Sequence, residues 1–253
     1  MLAKRLVVCL DVHGGRVLKG TSFAELRDVG DPVSLAQAYE RAGADEIVFL
    51  DVSASAEARA TTLSEVRRTA ESLFIPLTVG GGVRSADDMA RTLRAGADKV
   101  SVNSAAVARP ELLAECASRF GAQCVVASID ARRSRDGWVV VTHGGRRETP
   151  LDAIDWARRC EQLGAGEILL TSIDRDGRRS GYDLELTRAV SLAVSLPVVA
   201  SGGAGDASHV VDALTSGGAD AALVAGILHD GVTTVAALKA AIAAAGLSVR
   251  AAA

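Results

Sequence analysis

The chain has 253 residues, 49% of them apolar and only 3% aromatic, with 28 basic and 31 acidic side chains and a net charge of −3. That composition supports a large core, and its balanced charge excludes a general attraction to nucleic acid or to an anionic membrane surface. Lys4 and Arg5 precede the apolar run LVVCL, but Asp11 cuts it short, so the chain reads as cytoplasmic, with neither a signal peptide nor a membrane span.

Short apolar, β-branched runs alternate along the chain with helical patterns. The expected strands are Arg5–Val12, Glu46–Val52, Pro76–Gly81, Lys99–Ser104, Cys124–Asp130, Glu167–Asp174, Pro197–Gly202 and Ala221–Gly226. Asp31 and Pro32 predict a helix start closed by Gly43. Ser85 with Asp88 reads as a capping box for a helix ending at Gly96, and Asp206 caps another ending near Gly217. The segment from Val12 to Gly30 reads as a long loop in which Lys19 could fold over a pocket; Arg132 to Thr149 reads as a loop holding a small hairpin. Eight βα units in one α/β domain of this length describe a (β/α)8 TIM barrel.

The chain also repeats itself. PLTVGGGVRS from Pro76 returns as PVVASGGAGD from Pro197, and GADEIVFLD from Gly43 returns as GAGEILLTS from Gly164, both after 121 residues. The barrel therefore divides into two similar half-barrels, about 1–121 and 122–253. Cys9, Cys116, Cys124 and Cys160 lack metal-type spacing and read as reduced, packed thiols; neither metal nor cofactor is expected.

In such barrels the chemistry lies where strands end. Asp11 ends the first strand and Asp130 the fifth, on opposite sides of the ring and at matching places in the repeat. Two carboxylates facing each other over a pocket suit acid–base catalysis, with Asp130 expected as base and Asp11 as acid. The glycine turns at Gly82 and Gly203 each suit a phosphate, because a bare backbone and a helix start expose amides. Asn103 and Ser104 would complete one site, and Gly226 could add only its amide to the other. The implied ligand carries a phosphate at each end. Arg132, Arg133, Arg146, Arg147, Arg178 and Arg179 would favour its approach, although most of them read as a solvated rim.

The motifs CLDV from Cys9, GRVLKG from Gly15, LRDVGDPVSLA from Leu26, FLDVSAS from Phe49, TVGGGVRS from Thr78, DKVSVNSAAV from Asp98, ILLTSIDRDGRRSGYD from Ile168 and ASGGAG from Ala200 together resemble the cyclase subunit of imidazole glycerol phosphate synthase, in histidine biosynthesis. The resemblance covers Leu2 to about Arg250. It implies an ammonia-dependent lyase that converts a phosphoribulosyl-formimino aminoimidazole carboxamide ribotide to imidazole glycerol phosphate and aminoimidazole carboxamide ribotide. It places the catalytic pair on Asp11 and Asp130, and phosphate contacts on Gly82, Asn103, Ser104, Asp176, Gly177, Gly203 and the end of the eighth strand at Gly226. Lys19, Asp51, Thr171 and Ser201 fall around the pocket. His13-Gly14 stands where a basic–acidic pair is expected, and Gly226 where a serine is usual.

Strand parity brings Arg5, Glu46, Lys99 and Glu167 to the other end of the barrel, facing inward. A buried charge ring is a weak stabiliser beside apolar packing. The resemblance implies a function for it: a glutaminase subunit docked on that face, with ammonia passing the ring and rising past Leu169, Val48 and Ser101. The sister isomerase of the same pathway is the nearest alternative, disfavoured by LRDVGDP and TSIDRDG; a non-enzymatic scaffold is the remoter one.

Overall fold

Strands with both faces buried need neighbours on both edges, and closing the sheet into a ring supplies them. The computed structural model describes residues 2–21, 24–51 and 63–250. β1 (Arg5–His13) leads into a hairpin of β2 (Arg16–Thr21) and β3 (Ala24–Gly30), followed by α1 (Pro32–Arg41) and β4 (Glu46–Asp51). Then come α2 (Leu63–Ala70), β5 (Leu77–Gly80), α3 (Ala86–Arg94), β6 (Lys99–Val102), α4 (Ser104–Ala108) and α5 (Glu111–Phe120). The second half opens with β7 (Val125–Arg133) and the hairpin β8 (Trp138–Thr142) and β9 (Arg147–Asp152), then α6 (Ala153–Gln162) and β10 (Glu167–Ser172). It closes with α7 (Leu184–Ala193), β11 (Val198–Ser201), α8 (Ala207–Leu214), β12 (Ala221–Val224), α9 (Gly226–His229) and α10 (Val235–Ala244).

β1, β4, β5, β6, β7, β10, β11 and β12 pair in parallel in that order, and β12 returns to β1, which closes the barrel. These are the eight strands expected from the sequence, shifted at their ends by a few residues. The end of the second one, at Val52, and the residues after Arg250 lie outside the described residues, as does SAS of the FLDVSAS motif.

The helix starts follow local chemistry. Asp31 accepts from the Ser34 amide at 2.9 Å, with Pro32 in the first turn, and Ser85 accepts from the Asp88 amide at 3.1 Å. Asp88 reaches back to the Arg84 amide at 2.9 Å, one residue before the cap, so the capping box is displaced by one position. Gly43 and Gly96 follow the ends of α1 and α3 with φ of 94° and 111°, a conformation that favours glycine.

One expectation is corrected. Val12 to Gly30 is not a long loop: β1 runs past the barrel rim to His13 and turns back into β2, with Val12 opposite Val17 and His13 opposite Arg16. β2 then pairs antiparallel with β3. Charged residues and Gly20 hide this strand pattern, and it is the projecting end of β1 that templates it. Residues 22–23 lie outside the described residues. The hairpin expected between Arg132 and Thr149 is present as β8 and β9, the latter running on to Asp152.

Two apolar layers result. The outer faces of the barrel pack under the helices through residues such as Leu6, Phe49, Ile129 and Ile168. Inside the ring stand Val7, Cys9, Val48, Val126, Leu169, Val199, Ala221 and Leu223. Truncating one such interior aliphatic to alanine costs about 2–5 kcal/mol.

Candidate active site

The C-terminal ends of the barrel strands surround a cavity of about 650 Å³. Asp11 and Asp130 line it from opposite sides of the strand ring, together with Lys19, Asp51, Gly82, Asn103, Ser104, Thr171, Asp176, Gly177, Ser201, Gly203 and Gly226. Sequence separations of up to 215 residues, from Asp11 to Gly226, thus collapse into one concavity.

Each aspartate keeps one face open to the cavity while protein surrounds the rest. Burial raises the Asp11 carboxyl to about 6; a hydrogen bond from the Cys9 thiol at 3.1 Å works against this and the Asp176 charge adds to it. Burial also raises Asp130, to about 7, with the Asp176 charge adding and the Asn103 amide, donating at 2.8 Å, opposing. Both carboxyls therefore change state near neutrality, as acid–base groups must. The two values lie about a unit apart, so either carboxyl can serve as the acid and the other as the base. The Asn103 amide oxygen is buried without a hydrogen-bond partner among the described residues.

Asp176 is itself pushed up by burial, with a hydrogen bond from the Gly177 amide opposing.

The glycine turns have a reason inside the protein. A Cβ at Gly81 would lie 2.2 Å from the Asp51 carbonyl oxygen, and one at Gly202 would lie 2.7 Å from that of Ser172. These are equivalent contacts in the repeat, each packing the turn against the preceding barrel strand. A Cβ at Gly203 would lie 2.2 Å from the Gly181 carbonyl oxygen. In α3 Ser85 takes the Asp88 amide, and in α8 Asp206 takes the Ser208 and His209 amides. α4, α5 and α9 start without a side-chain cap, at Asn103, Pro110 and Ala225, and of these α4 and α9 begin at the cavity.

Of the six rim arginines, only Arg179 is among the described residues lining the cavity. Arg132 is held by Glu148 at 2.9 Å, and Arg133 by Glu185 at 2.8 Å over the Trp138 ring. Several lining groups escape a sequence reading: Arg84, Arg109, His143 and His229. His229 donates through Nε2 to the Cys9 carbonyl at 3.1 Å and accepts from Tyr39 at 2.7 Å. Burial lowers its pKa, so it serves as a neutral brace behind Asp11. Strand parity places Cys9 on the inward face with Asp11, as found; the histidines come from segments with no periodic signal.

At the opposite end of the barrel the four charges interlock. Arg5 donates to Glu46 at 3.0 Å and to Glu167, and Lys99 donates to Glu46 at 2.9 Å and to Glu167 at 2.7 Å. Thr78 adds a hydrogen bond to Glu46 at 2.6 Å. Above this ring lie Val48 and Leu169, then Ser101 at the cavity floor. A Cβ at Gly80 would strike the Ser101 hydroxyl, so that glycine keeps the interior open to it. Among the described residues no helix is long and apolar enough to cross a membrane, and no cluster of ligands could hold a metal ion.

Comparison with known proteins gives a consistent picture. A family profile described as "Histidine biosynthesis protein" matches residues 5–234. The chain is 70% identical over 250 residues to the imidazole glycerol phosphate synthase subunit HisF of Myxococcus xanthus, covering 99% of each chain. It is 58% identical over 256 residues to the subunit of the same name from Mycobacteroides abscessus, covering 98% of this chain and 99% of that one.

Proposed function

The chain belongs to the HisF family, the cyclase subunit of imidazole glycerol phosphate synthase in histidine biosynthesis, and from that premise we propose how its own residues carry the reaction. The substrate, a phosphoribulosyl-formimino aminoimidazole carboxamide ribotide, spans the mouth with one phosphate near Gly82, Asn103 and Ser104 and the other near Gly177, Gly203 and Gly226. Its reacting middle then lies between Asp11 and Asp130. Ammonia adds to the ribulosyl carbonyl, whose oxygen leaves as water; the new nitrogen closes on the formimino carbon and expels aminoimidazole carboxamide ribotide, leaving imidazole glycerol phosphate. Of Asp11 and Asp130, the ionised carboxyl takes the proton that the adding nitrogen sheds and the protonated one gives a proton to the departing nitrogen. The observation that carries this reading is the pair of buried carboxyls, from opposite strands of one pocket, poised between about 6 and 7.

The ammonia comes from a separate glutaminase subunit docked on the N-terminal face of the barrel. It passes the ring of Arg5, Glu46, Lys99 and Glu167 and rises past Val48, Leu169 and Ser101. An apolar interior admits neutral ammonia and penalises ammonium.

An assay at alkaline pH with ammonium salt tests the chemistry: the ribulosyl substrate is consumed in an ammonia-dependent way. Amadori isomerisation of its precursor instead would make the chain the sister isomerase. Lys99→Ala tests the gate. Turnover driven by glutamine through the glutaminase should fall while turnover with added ammonia persists, and equal losses with both nitrogen sources would leave the ring as a structural plug.

A further inference from the structure

Beside the eighth barrel strand, three cations converge on one carboxylate. Lys19 on β2, Arg27 on β3 and Arg179 from the segment between β10 and α7 all donate to Asp230, which directly follows α9; the Arg27 contact is 2.7 Å. Lys19 and Arg179 line the cavity, and Arg179 also reaches the Gly226 carbonyl at 3.4 Å. Three cations against one carboxylate leave an excess of two positive charges at the pocket edge, the complement of a phosphate monoester dianion.

The glycine at 226 belongs to this arrangement. A Cβ there would lie 3.2 Å from Lys19 Cε and 3.5 Å from its ammonium nitrogen. A side chain would crowd the lysine where it meets Asp230, and glycine leaves it room. Hydrogen bonding from Lys19 and Arg179, against a small burial cost, holds the Asp230 carboxyl down at about 2. No ordinary pH releases these cations. A stronger anion can, because ion pairs this near the surface are individually weak.

We propose that Asp230 is a positioning residue that stands in for a substrate phosphate: in the empty protein it gathers Lys19, Arg27 and Arg179, and an arriving phosphate monoester takes Lys19 and Arg179 from it. This rests on the reading above, which brings one substrate phosphate to the Gly226 side of the mouth. The exchange changes the tether of the β2–β3 hairpin. Before it, the hairpin is fastened to the barrel through Asp230; afterwards Lys19 fastens it to the ligand. Seating the phosphate and placing the hairpin over the pocket become one event.

The test compares wild type with Asp230→Asn and Asp230→Glu, using inorganic phosphate as probe in a 31P NMR titration at low ionic strength. Removing the competing charge should tighten phosphate binding about tenfold in Asp230→Asn and lower KM for the bis-phosphate substrate. Asp230→Glu, which restores the charge, should return both toward wild type, and in an Arg179→Ala background the gain should shrink. A merely structural clasp predicts the opposite: without Asp230 the cations lose their order, phosphate binds more weakly and KM rises. That result, or an unchanged affinity, overturns the proposal. The titration needs no turnover, so a failure of the cyclase assay would remove the functional reading while the ratio of phosphate affinities still decided the role of Asp230.

Discussion

Both halves of the barrel insert an antiparallel hairpin after their opening strand, and the two are fastened differently. In the second half, β8 pairs with β7 from Asp130 to Arg133 and buries Trp138, Val140 and Val141. The Ser104 hydroxyl then accepts from the His143 amide at 3.0 Å and pins the turn to the start of α4. In the first half, β2 meets β1 at only Val12–Val17 and His13–Arg16, and Gly226, the repeat equivalent of Ser104, has no hydroxyl to offer. The fastening passes to charge, through Lys19, Arg27 and Asp230. The same plan thus yields one hairpin held by packing and a neutral hydrogen bond, and another held by ions that an anion can replace. The aspartates differ in the same way. Asp130 receives the Asn103 amide from the strand before it; the equivalent residue for Asp11 is Ala225, and the thiol of Cys9 on its own strand serves instead. The repeat gives the two halves a common frame, and the contacts at each strand end differ between them.

The largest test of this comparison is the pair Asp11→Asn and Asp130→Asn. Each should lower ammonia-driven kcat by ~10²–10⁴ with binding preserved, as the proposed proton transfer by both carboxyls requires. Near-normal turnover in either would make that aspartate structural and the pair unequal in kind. The same variants should gain stability at alkaline pH. A carboxyl whose pKa is raised on folding stabilises the native state below its unfolded value near 3.8 and loses that contribution as pH climbs through its folded value, about 6 for Asp11 and about 7 for Asp130. Ionisation in the pocket therefore costs on the order of 2–3 kcal/mol per group above pH 7, allowing for the water in the cavity. Thermal melts at pH 8 should show the asparagine variants higher by roughly 5–10 °C, with the gain vanishing near pH 4.

A smaller effect probes the asymmetry directly. Asn103→Ala removes a hydrogen bond to the ionised form and should raise the Asp130 pKa above about 7, moving the alkaline limb of the kcat/KM profile upward. Ala225→Asn should do the converse for Asp11 and lower its pKa, since Ala225 has nearly the backbone angles of Asn103 (φ −141°, ψ −84° against φ −119°, ψ −90°). Carboxyl 13C titrations would read both shifts, and a silent Ala225→Asn would break the equivalence. The smallest change is expected from Cys9→Ala. A thiol is a weak donor, so Asp11 should rise only slightly and the acid limb follow it.

What was legible in the sequence is what periodicity and repetition encode. The β-branched runs mark all eight barrel strands, and the 121-residue offset marks which strand ends correspond, so Asp11, Asp130 and the glycine turns stand out. Parity carried the reading down the strands to Arg5, Glu46, Lys99 and Glu167. The β8 strand was visible because WVVVT is apolar and β-branched. RVLKGT and AELRDVG carry neither signal, and β2 forms because β1 outruns the barrel. The cluster on Asp230 joins residues more than 200 positions apart through flexible charged side chains, which leave no periodic trace. Only the folded backbone shows that Gly81, Gly202 and Gly203 are also pressed against carbonyl oxygens of their own chain.

The four-charge ring draws unequally on the two halves. Glu46 and Glu167 are equivalent positions, but Arg5 corresponds to Cys124 and Lys99 to Ala221, so both cations belong to the first half. An unaltered copy of the first half would set four cations against two glutamates at the base of the barrel, and two copies of the second would leave the glutamates unanswered. A barrel made twice over from either half would thus carry unbalanced charge at its base. The halves are complementary, in the manner of a heterodimer fused into one chain, and the mismatch at residues 124 and 221 is what lets the ring close.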